Sequence, residues 1–99
     1  MRKEEFALAT FAVVYTFADN EAVRLETRPK HREYLKGLLE AGNIVLSGPF
    51  LDDTGALLVI EAESRAQVDE FLANDPYRDA GVVDNALVKE WNIVMRGGQ

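Results

Sequence analysis

The chain has 99 residues, of which 47% are hydrophobic and 28% are charged, a composition typical of one globular domain. Its 17 acidic residues outnumber its 11 lysines and arginines, and the net charge of −6 argues against nucleic acid or an anionic membrane as the main partner. That charge still permits a small anionic ligand held by one or two arginines. The absence of cysteine excludes disulfides, thiol chemistry and thiolate metal sites. No apolar run is long enough to cross a membrane and no signal peptide is recognisable, so the cytoplasm is the expected location.

The first part of the chain is predicted to form a strand followed by a helix. Residues 6–17 are rich in β-branched and aromatic side chains, and they predict a strand with two apolar faces. Residues 19–27 are polar and predict a loop or a short helical turn. The first main helix is predicted to begin near Arg28, with Pro29 in the first helical position, and to end at Gly42.

The rest of the chain is predicted to contain three further strands and a second helix. The helix is opened by a capping box, in which a serine and a glutamine satisfy the first backbone amides. These elements are a strand over 44–50, a hairpin turn over 52–55, a strand over 56–62, a helix from the capping box at 64–67 to Asp75-Pro76, and a strand over 83–95.

The order β-α-β-β-α-β predicts an α+β fold, a ferredoxin-like sandwich with a four-stranded antiparallel sheet. The first and third strands are expected in the centre, with the two helices antiparallel on one face of the sheet. The other face keeps apolar side chains that a monomer would expose to water. We therefore expect a homodimer that pairs through this face of the sheet.

Two titratable residues stand at the ends of apolar helical stripes. His31, the only histidine, begins the stripe that continues through Leu35 and Leu38. Asp75 ends the apolar stripe of the second helix. Because the helices run antiparallel, the start of the first and the end of the second lie together. The sequence therefore predicts that His31 and Asp75 are neighbours.

A histidine beside a carboxylate suits general acid–base catalysis, because imidazole titrates near neutral pH and the carboxylate selects its tautomer. A structural alternative exists for each residue. His31 can be a packing residue that is hydrogen-bonded at a helix start, and Asp75 can be a helix terminator before Pro76.

Four other residues are candidates for binding a substrate. Arg28 can hold a carboxylate or carbonyl, Ser47 offers a hydroxyl, Gly48 lets a ligand approach the backbone, and Tyr15 can form a pocket wall. The alternatives are a solvated arginine, a Ser-Gly-Pro turn and a core tyrosine. One histidine with scattered acids predicts no metal site.

A series of short motifs runs along the chain in a fixed order. They are Arg28-Pro-x-His31-x-x-Tyr34-Leu35-x-x-Leu38, Ala41-Gly42, Ser47-Gly48-Pro49-Phe50, Gly55, Ser64-x-x-x-Val68 and Asp75-Pro76-Tyr77-x-x-Ala80-Gly81-Val82.

This series resembles the YciI-like (YCII-related) family over about residues 11–95. The resemblance implies one ferredoxin-like domain over 1–99, assembled as a dimeric α+β barrel, with 1–10 as an N-terminal extension and 96–99 as a tail. It also implies that His31 and Asp75 form the active-site pair. One branch of the family looks like dehydrochlorinases of chlorinated hydroxyquinols, and related barrels include muconolactone isomerases and monooxygenases. The family often has alanine where this chain has Ser47.

The leading hypothesis is a small enzyme that needs no cofactor, a lyase or isomerase in which His31 moves a proton of a small aromatic or carbonyl-containing metabolite. Asp75 would orient the imidazole and balance its charge, and Arg28 would hold an oxyanion. The alternative is a non-catalytic module that binds a small molecule or serves as a dimeric accessory subunit. A third class, a haem protein with His31 as axial ligand, occurs among related barrels.

Overall fold

A computed structural model describes residues 8–98 of the chain. The N-terminal residues 1–7, which include the predicted start of the first strand and most of the predicted extension, lie outside the described residues, as does Gln99 of the predicted tail. The elements follow the order β1 (Ala9–Phe17), α1 (Glu21–Glu40), β2 (Ile44–Pro49), β3 (Gly55–Ala62), α2 (Arg65–Ala73), α3 (Pro76–Asp79) and β4 (Val83–Glu90).

The four strands form one antiparallel sheet in the order β2-β3-β1-β4. This arrangement confirms the predicted ferredoxin-like fold with the first and third strands in the centre. Val13 lies at the middle of the sheet, opposite Leu58 of β3 and Val88 of β4. The core forms where the helices cover this face, and Val13 is fully buried in it.

The sheet has an open face that the helices do not cover. Residues directly opposite each other on antiparallel strands point to the same side, so Ala12, Val14, Leu46, Leu57 and Leu87 share this face. Leu46 and Leu87 are 57% and 47% exposed. Both faces of β1 are therefore apolar, as predicted.

The first helix begins seven residues earlier than the sequence predicted, at Glu21 instead of Arg28. The side chain of Asn20 caps it by accepting a hydrogen bond from the amide of Val23 at 3.3 Å. Pro29 therefore lies inside the helix, although an interior proline costs about 3 kcal/mol. The added turns pack Val23 against the core and place Arg24 over the ring of Phe17, and these contacts favour the longer helix.

Replacing Pro29 with alanine is expected to raise the free energy of unfolding by about 1–3 kcal/mol. Alanine restores the backbone amide that proline lacks, and the exposed position leaves room for the change. Urea unfolding followed by circular dichroism measures the effect, with the exposed neighbour Lys30→Ala as the control. A lower stability of Pro29→Ala would show that the interior proline is needed by the native helix.

The last strand ends at Glu90, so the prediction that it continues to residue 95 is wrong. The amide of Trp91 donates a final hydrogen bond to the carbonyl of Thr10 at 2.7 Å. The alternation of apolar residues over 91–95 therefore does not produce a strand in the described chain.

The second helix ends at Ala73, and a separate one-turn helix, α3, follows from Pro76. The sequence predicted that the second helix ends at the Asp75-Pro76 pair, and it did not predict the one-turn helix that follows. Proline without an amide hydrogen suits the first position of a helix, and Asp75 in extended backbone geometry precedes it as the N-cap. The pair therefore ends one helix and begins the next.

Candidate active site

The carboxylate of Asp75 is the centre of a buried hydrogen-bond network. It accepts from the hydroxyl of Tyr15 at 2.8 Å, from Nδ1 of His31 at 2.7 Å and from the amide of Tyr77 at 3.0 Å. The bond from Tyr77 is also the cap of α3. Asp75 is only 1% exposed, and a buried carboxylate needs such a full set of donors.

The predicted meeting of His31 and Asp75 is confirmed, but one reason given for it is wrong. His31 lies in the middle of α1 and not at its start, because the helix begins at Glu21. The helix N-terminus therefore does not act on the imidazole, since its field falls off within the first turn. The partner is reached because α3 packs on α1 and carries Asp75 at its N-cap.

The imidazole of His31 is held on two sides. Its ring stacks on Tyr77 with centroids 3.7 Å apart and planes 4° from parallel. Its Nδ1 donates to Asp75, because a carboxylate has no hydrogen to give. Nε2 has no hydrogen-bond partner among residues 8–98. Every fully buried side-chain nitrogen or oxygen in that range does have a partner, so Nε2 is not fully buried. Nε2 is therefore accessible, and the His31 side chain lines the cavity.

A cavity of about 480 Å³ lies between α1 and β2. Of the predicted binding residues, Arg28, Ser47 and Gly48 line it together with His31. Tyr15 does not, since it is 1% exposed and lies behind Asp75. The prediction of Tyr15 as a pocket wall is therefore wrong, and its hydroxyl instead supports the carboxylate.

Tyr15 sits in the core because of its place on β1. It is opposite Ala56 on the helix-covered face of the sheet. The next residue of β1 pairs with Gly55, where a Cβ would collide with the carbonyl oxygen of Tyr15. Glycine at this position lets β3 approach closely enough to hold Tyr15 under Asp75.

Burial raises the pKa of all three tyrosines, with Tyr15 the most strongly affected. The charge of Asp75 and the hydrogen bond donated to it raise the pKa of Tyr15 further. Burial also raises the pKa of Tyr77, against the opposing charges of Arg24, Arg28 and Arg32. Tyr15 therefore remains a donor to Asp75 throughout the neutral range.

Because the unfolded chain loses tyrosine protons near pH 10 and the native chain keeps them, stability should fall in alkali. The stabilisation is fully present below about pH 10 and declines above it, by about 1.4 kcal/mol per pH unit for each proton retained. In Tyr15→Phe, the free energy of unfolding should fall less steeply with pH, because the native variant retains one proton fewer. Urea unfolding between pH 9 and 11.5 measures it, and an unchanged slope in the variant would contradict the assignment.

Sequence reasoning missed Arg24 as a cavity residue. Arg24 is 6% exposed and lines the cavity, with its guanidinium 5.0 Å from the centroid of the Phe17 ring. The signal was the spacing of Arg24, Arg28 and Arg32 at intervals of four, which places them on one helical face. The prediction of a loop over 19–27 hid that pattern.

The described residues offer neither a metal cluster nor a spanning helix. Within 8–98, no group of three or more histidine, cysteine, aspartate or glutamate side chains is placed to hold a metal ion. In the same range no helix is both long enough and apolar enough to cross a membrane.

Comparison with known proteins identifies the family. A sequence model of the YCII-related domain matches residues 9–92. The chain belongs to the YCII-related family. This match confirms the resemblance carried by the motifs around His31 and Asp75.

Two relatives show where this YCII-related chain lies among known proteins. It is 38% identical over 77 residues to the "derivative of benzaldehyde biosynthesis cluster protein C" of Emericella nidulans, covering 67% of this chain and 79% of that one. Its fold is similar to that of 5-chloro-2-hydroxyhydroquinone dehydrochlorinase from Burkholderia phenoliruptrix AC1100, solved in complex with 2,5-dihydroxybenzoquinone. That comparison has a TM-score of 0.75 and 30% sequence identity, and it covers 84% of this chain and 93% of the other.

Proposed function

We propose that the protein is a small lyase or isomerase in which Nε2 of His31 removes a proton from a small aromatic or carbonyl-containing metabolite. The observation that carries this proposal is the state of the imidazole. One ring nitrogen is bound by a buried carboxylate, the other has no partner among residues 8–98, and the side chain lines a cavity large enough for a small metabolite. This is the arrangement of an oriented general base.

Asp75 would have two roles in this reaction. By accepting from Nδ1, it leaves the basic lone pair on Nε2. Its negative charge, 2.7 Å away, would stabilise the imidazolium that forms when Nε2 takes a proton. Tyr15 and the amide of Tyr77 hold the carboxylate in place during that change.

The proposed step begins at a carbon-bound hydrogen next to a carbonyl or enol group. Nε2 of His31 takes the proton, and the electron pair of the C–H bond forms a new double bond. In a lyase, chloride or another leaving group departs from the adjacent carbon with its bonding electrons, and His31 then releases the proton to water. In an isomerase, the π electrons of the carbonyl move to its oxygen to give an enolate, and the carbonyl re-forms when His31 returns the proton to a different carbon.

The relatives support this class of substrate. The Burkholderia protein is named as a dehydrochlorinase of a chlorinated aromatic triol, and the name of the Emericella protein refers to biosynthesis of a benzaldehyde derivative. Both names point to small oxygenated aromatic rings. For this chain, we propose a ring of that size and polarity.

Two readouts test the proposal and cover both reaction types. Chloride release from 5-chloro-2-hydroxyhydroquinone reports a lyase, and deuterium uptake by small phenols and cyclic ketones in heavy water reports an isomerase. The expected result is one of these signals above the rate without protein, and its loss when His31 is replaced. Ligand binding without either signal would overturn the enzyme proposal in favour of a non-catalytic binding module.

We also propose that two copies of the chain pair through the open face of the sheet, because that face presents Leu46 and Leu87 to solvent. Sedimentation equilibrium is expected to give twice the chain mass of 11.1 kDa. Leu87→Asp should shift the mass toward one chain. Leu51→Asp, in the exposed turn between β2 and β3, should not. A wild-type mass of one chain would contradict this assembly.

A further inference from the structure

Four basic side chains form a row on the cavity side of α1. Arg24, Arg28, Arg32 and Lys36 follow one another at intervals of four residues, and all four line the cavity. The described lining contains no aspartate or glutamate, although acidic residues outnumber basic ones in the whole chain. A negatively charged protein thus carries a positively charged cavity.

Arg24 lies deepest in this row and lacks a strong partner. Its Nη2 is 3.6 Å from Oε2 of Glu21, beyond hydrogen-bond length, and the Glu21 side chain is 71% exposed. No side chain in residues 8–98 accepts a hydrogen bond from its guanidinium. Every fully buried side-chain nitrogen or oxygen in that range has a partner, so the unbonded nitrogens of Arg24 are not fully buried. The free donors of Arg24 are therefore open to the cavity, where a buried guanidinium favours an anion.

The remaining cations of the row are also available to a ligand. Arg28 is half-buried, whereas Arg32 and Lys36 are exposed at the rim of the cavity. None of the three forms an ion pair with any residue of 8–98. Positive charge therefore extends from the interior of the cavity to its mouth.

Most of the remaining lining of the cavity is apolar. Leu35 and Leu39 contribute from α1, Ile44 from β2, and Ala56 from β3. An apolar body fits between these walls, and an acidic group fits the basic row. A ligand with an apolar body and an acidic group therefore complements both the apolar walls and the basic row.

We infer that the cavity binds a small aromatic carboxylate, with the carboxylate on Arg24 and Arg28 and the ring between α1 and β2. Guanidinium groups bind carboxylates through paired, charge-assisted hydrogen bonds, which favour arginine over lysine at the anchoring positions. The inference rests on the proposed function in taking this cavity as the substrate site. It adds that the substrate is an acid and names Arg24 as the residue that selects it.

A pair of probes with the same ring and different charge tests the inference. Calorimetric titration of the full chain with 2,5-dihydroxybenzoate and with 2,5-dihydroxybenzamide gives a Kd for each. We expect the carboxylate to bind at least about tenfold more tightly than the amide. Arg24→Gln should remove this preference and Arg24→Lys should keep part of it. Arg65→Gln, at an exposed arginine on α2, should leave it unchanged.

Three results would overturn the inference. They are equal affinity for the two probes, binding of neither probe, and a preference that survives Arg24→Gln. If Arg24→Gln fails to fold by circular dichroism, Arg28→Gln decides the matter, because Arg28 is only half-buried and should also reduce the preference.

The inference and the proposed function can fail separately. His31→Asn removes the proposed base and keeps the basic row, so it should keep the preference for the carboxylate while losing turnover. Turnover that depends on His31 without any preference for the carboxylate would overturn only the inference. A preference for the carboxylate with turnover unchanged in His31→Asn would overturn only the proposed function.

Discussion

Asparagine in place of His31 is expected to lower turnover by about 100- to 10,000-fold, the usual contribution of a general base. The asparagine amide can still donate to Asp75 from near the position of Nδ1, but the chain then has no group at the position of Nε2. The variant should therefore keep the buried carboxylate partnered while lacking the base. Initial rates with the substrate found by the chloride or deuterium assay measure the loss.

Glu33→Asn is the matched control, because Glu33 is an exposed residue of the same helix and does not line the cavity. Its rate should be close to that of the unaltered chain. Circular dichroism should show that both variants are folded. A His31→Asn protein that turns over substrate at the normal rate would remove His31 from the mechanism.

Alanine in place of Asp75 is expected to lower the free energy of unfolding by about 3–5 kcal/mol. The substitution deprives Tyr15, His31 and the amide of Tyr77 of their common acceptor in a site that is almost closed to water. It also removes the cap of α3. For a chain of this size, such a loss is a large part of the total stability. Guanidinium unfolding followed by fluorescence measures it.

Replacing Asp75 with asparagine removes the negative charge but keeps the size and shape of the side chain. Its carbonyl oxygen can still accept from His31 and from the amide of Tyr77, while its amide faces the hydroxyl of Tyr15. We expect Asp75→Asn to retain most of the stability and to lose turnover, because the imidazolium loses its counter-charge. Asp69→Ala, which breaks an exposed ion pair with Arg65, should cost less than about 1 kcal/mol. Equal stability of Asp75→Ala and the unaltered chain would contradict the role of the buried network.

The pairing of His31 with Asp75 was predictable because it depends on topology. The order of strands and helices brings the two residues together, although 44 positions separate them in the chain. An error of two turns in the start of α1 did not change this result, because α1 packs against α3 over the turn that carries His31. Predictions that depend only on the order of elements tolerate errors in the ends of those elements.

The basic row of the cavity was not predictable in the same way. Pro29 is a frequent first residue of helices, and the local rule placed the helix start beside it. The actual start is marked by the Asn20 cap, a local contact, and it is supported by two tertiary contacts, the packing of Val23 on the core and of Arg24 over the Phe17 ring. Arg24 therefore became visible as a cavity residue only when the helix was seen to extend past the proline.

The role of Tyr15 shows a second limit of the sequence. Alternation along β1 does not say which face the helices cover, and a binding role was predicted where the structure shows a hydrogen bond to Asp75. Whether a residue on that face meets a cavity or a buried carboxylate depends on where α3 packs. No pattern along β1 records that position.

A long-range ¹H–¹⁵N spectrum of the imidazole tests the proposed role of His31 most directly, and it is unambiguous because the chain contains one histidine. It is recorded at a pH where the ring is neutral. We predict that the proton is on Nδ1, hydrogen-bonded to Asp75, and that Nε2 carries a free lone pair. A proton on Nε2 would leave no base for the substrate and would contradict the proposed mechanism.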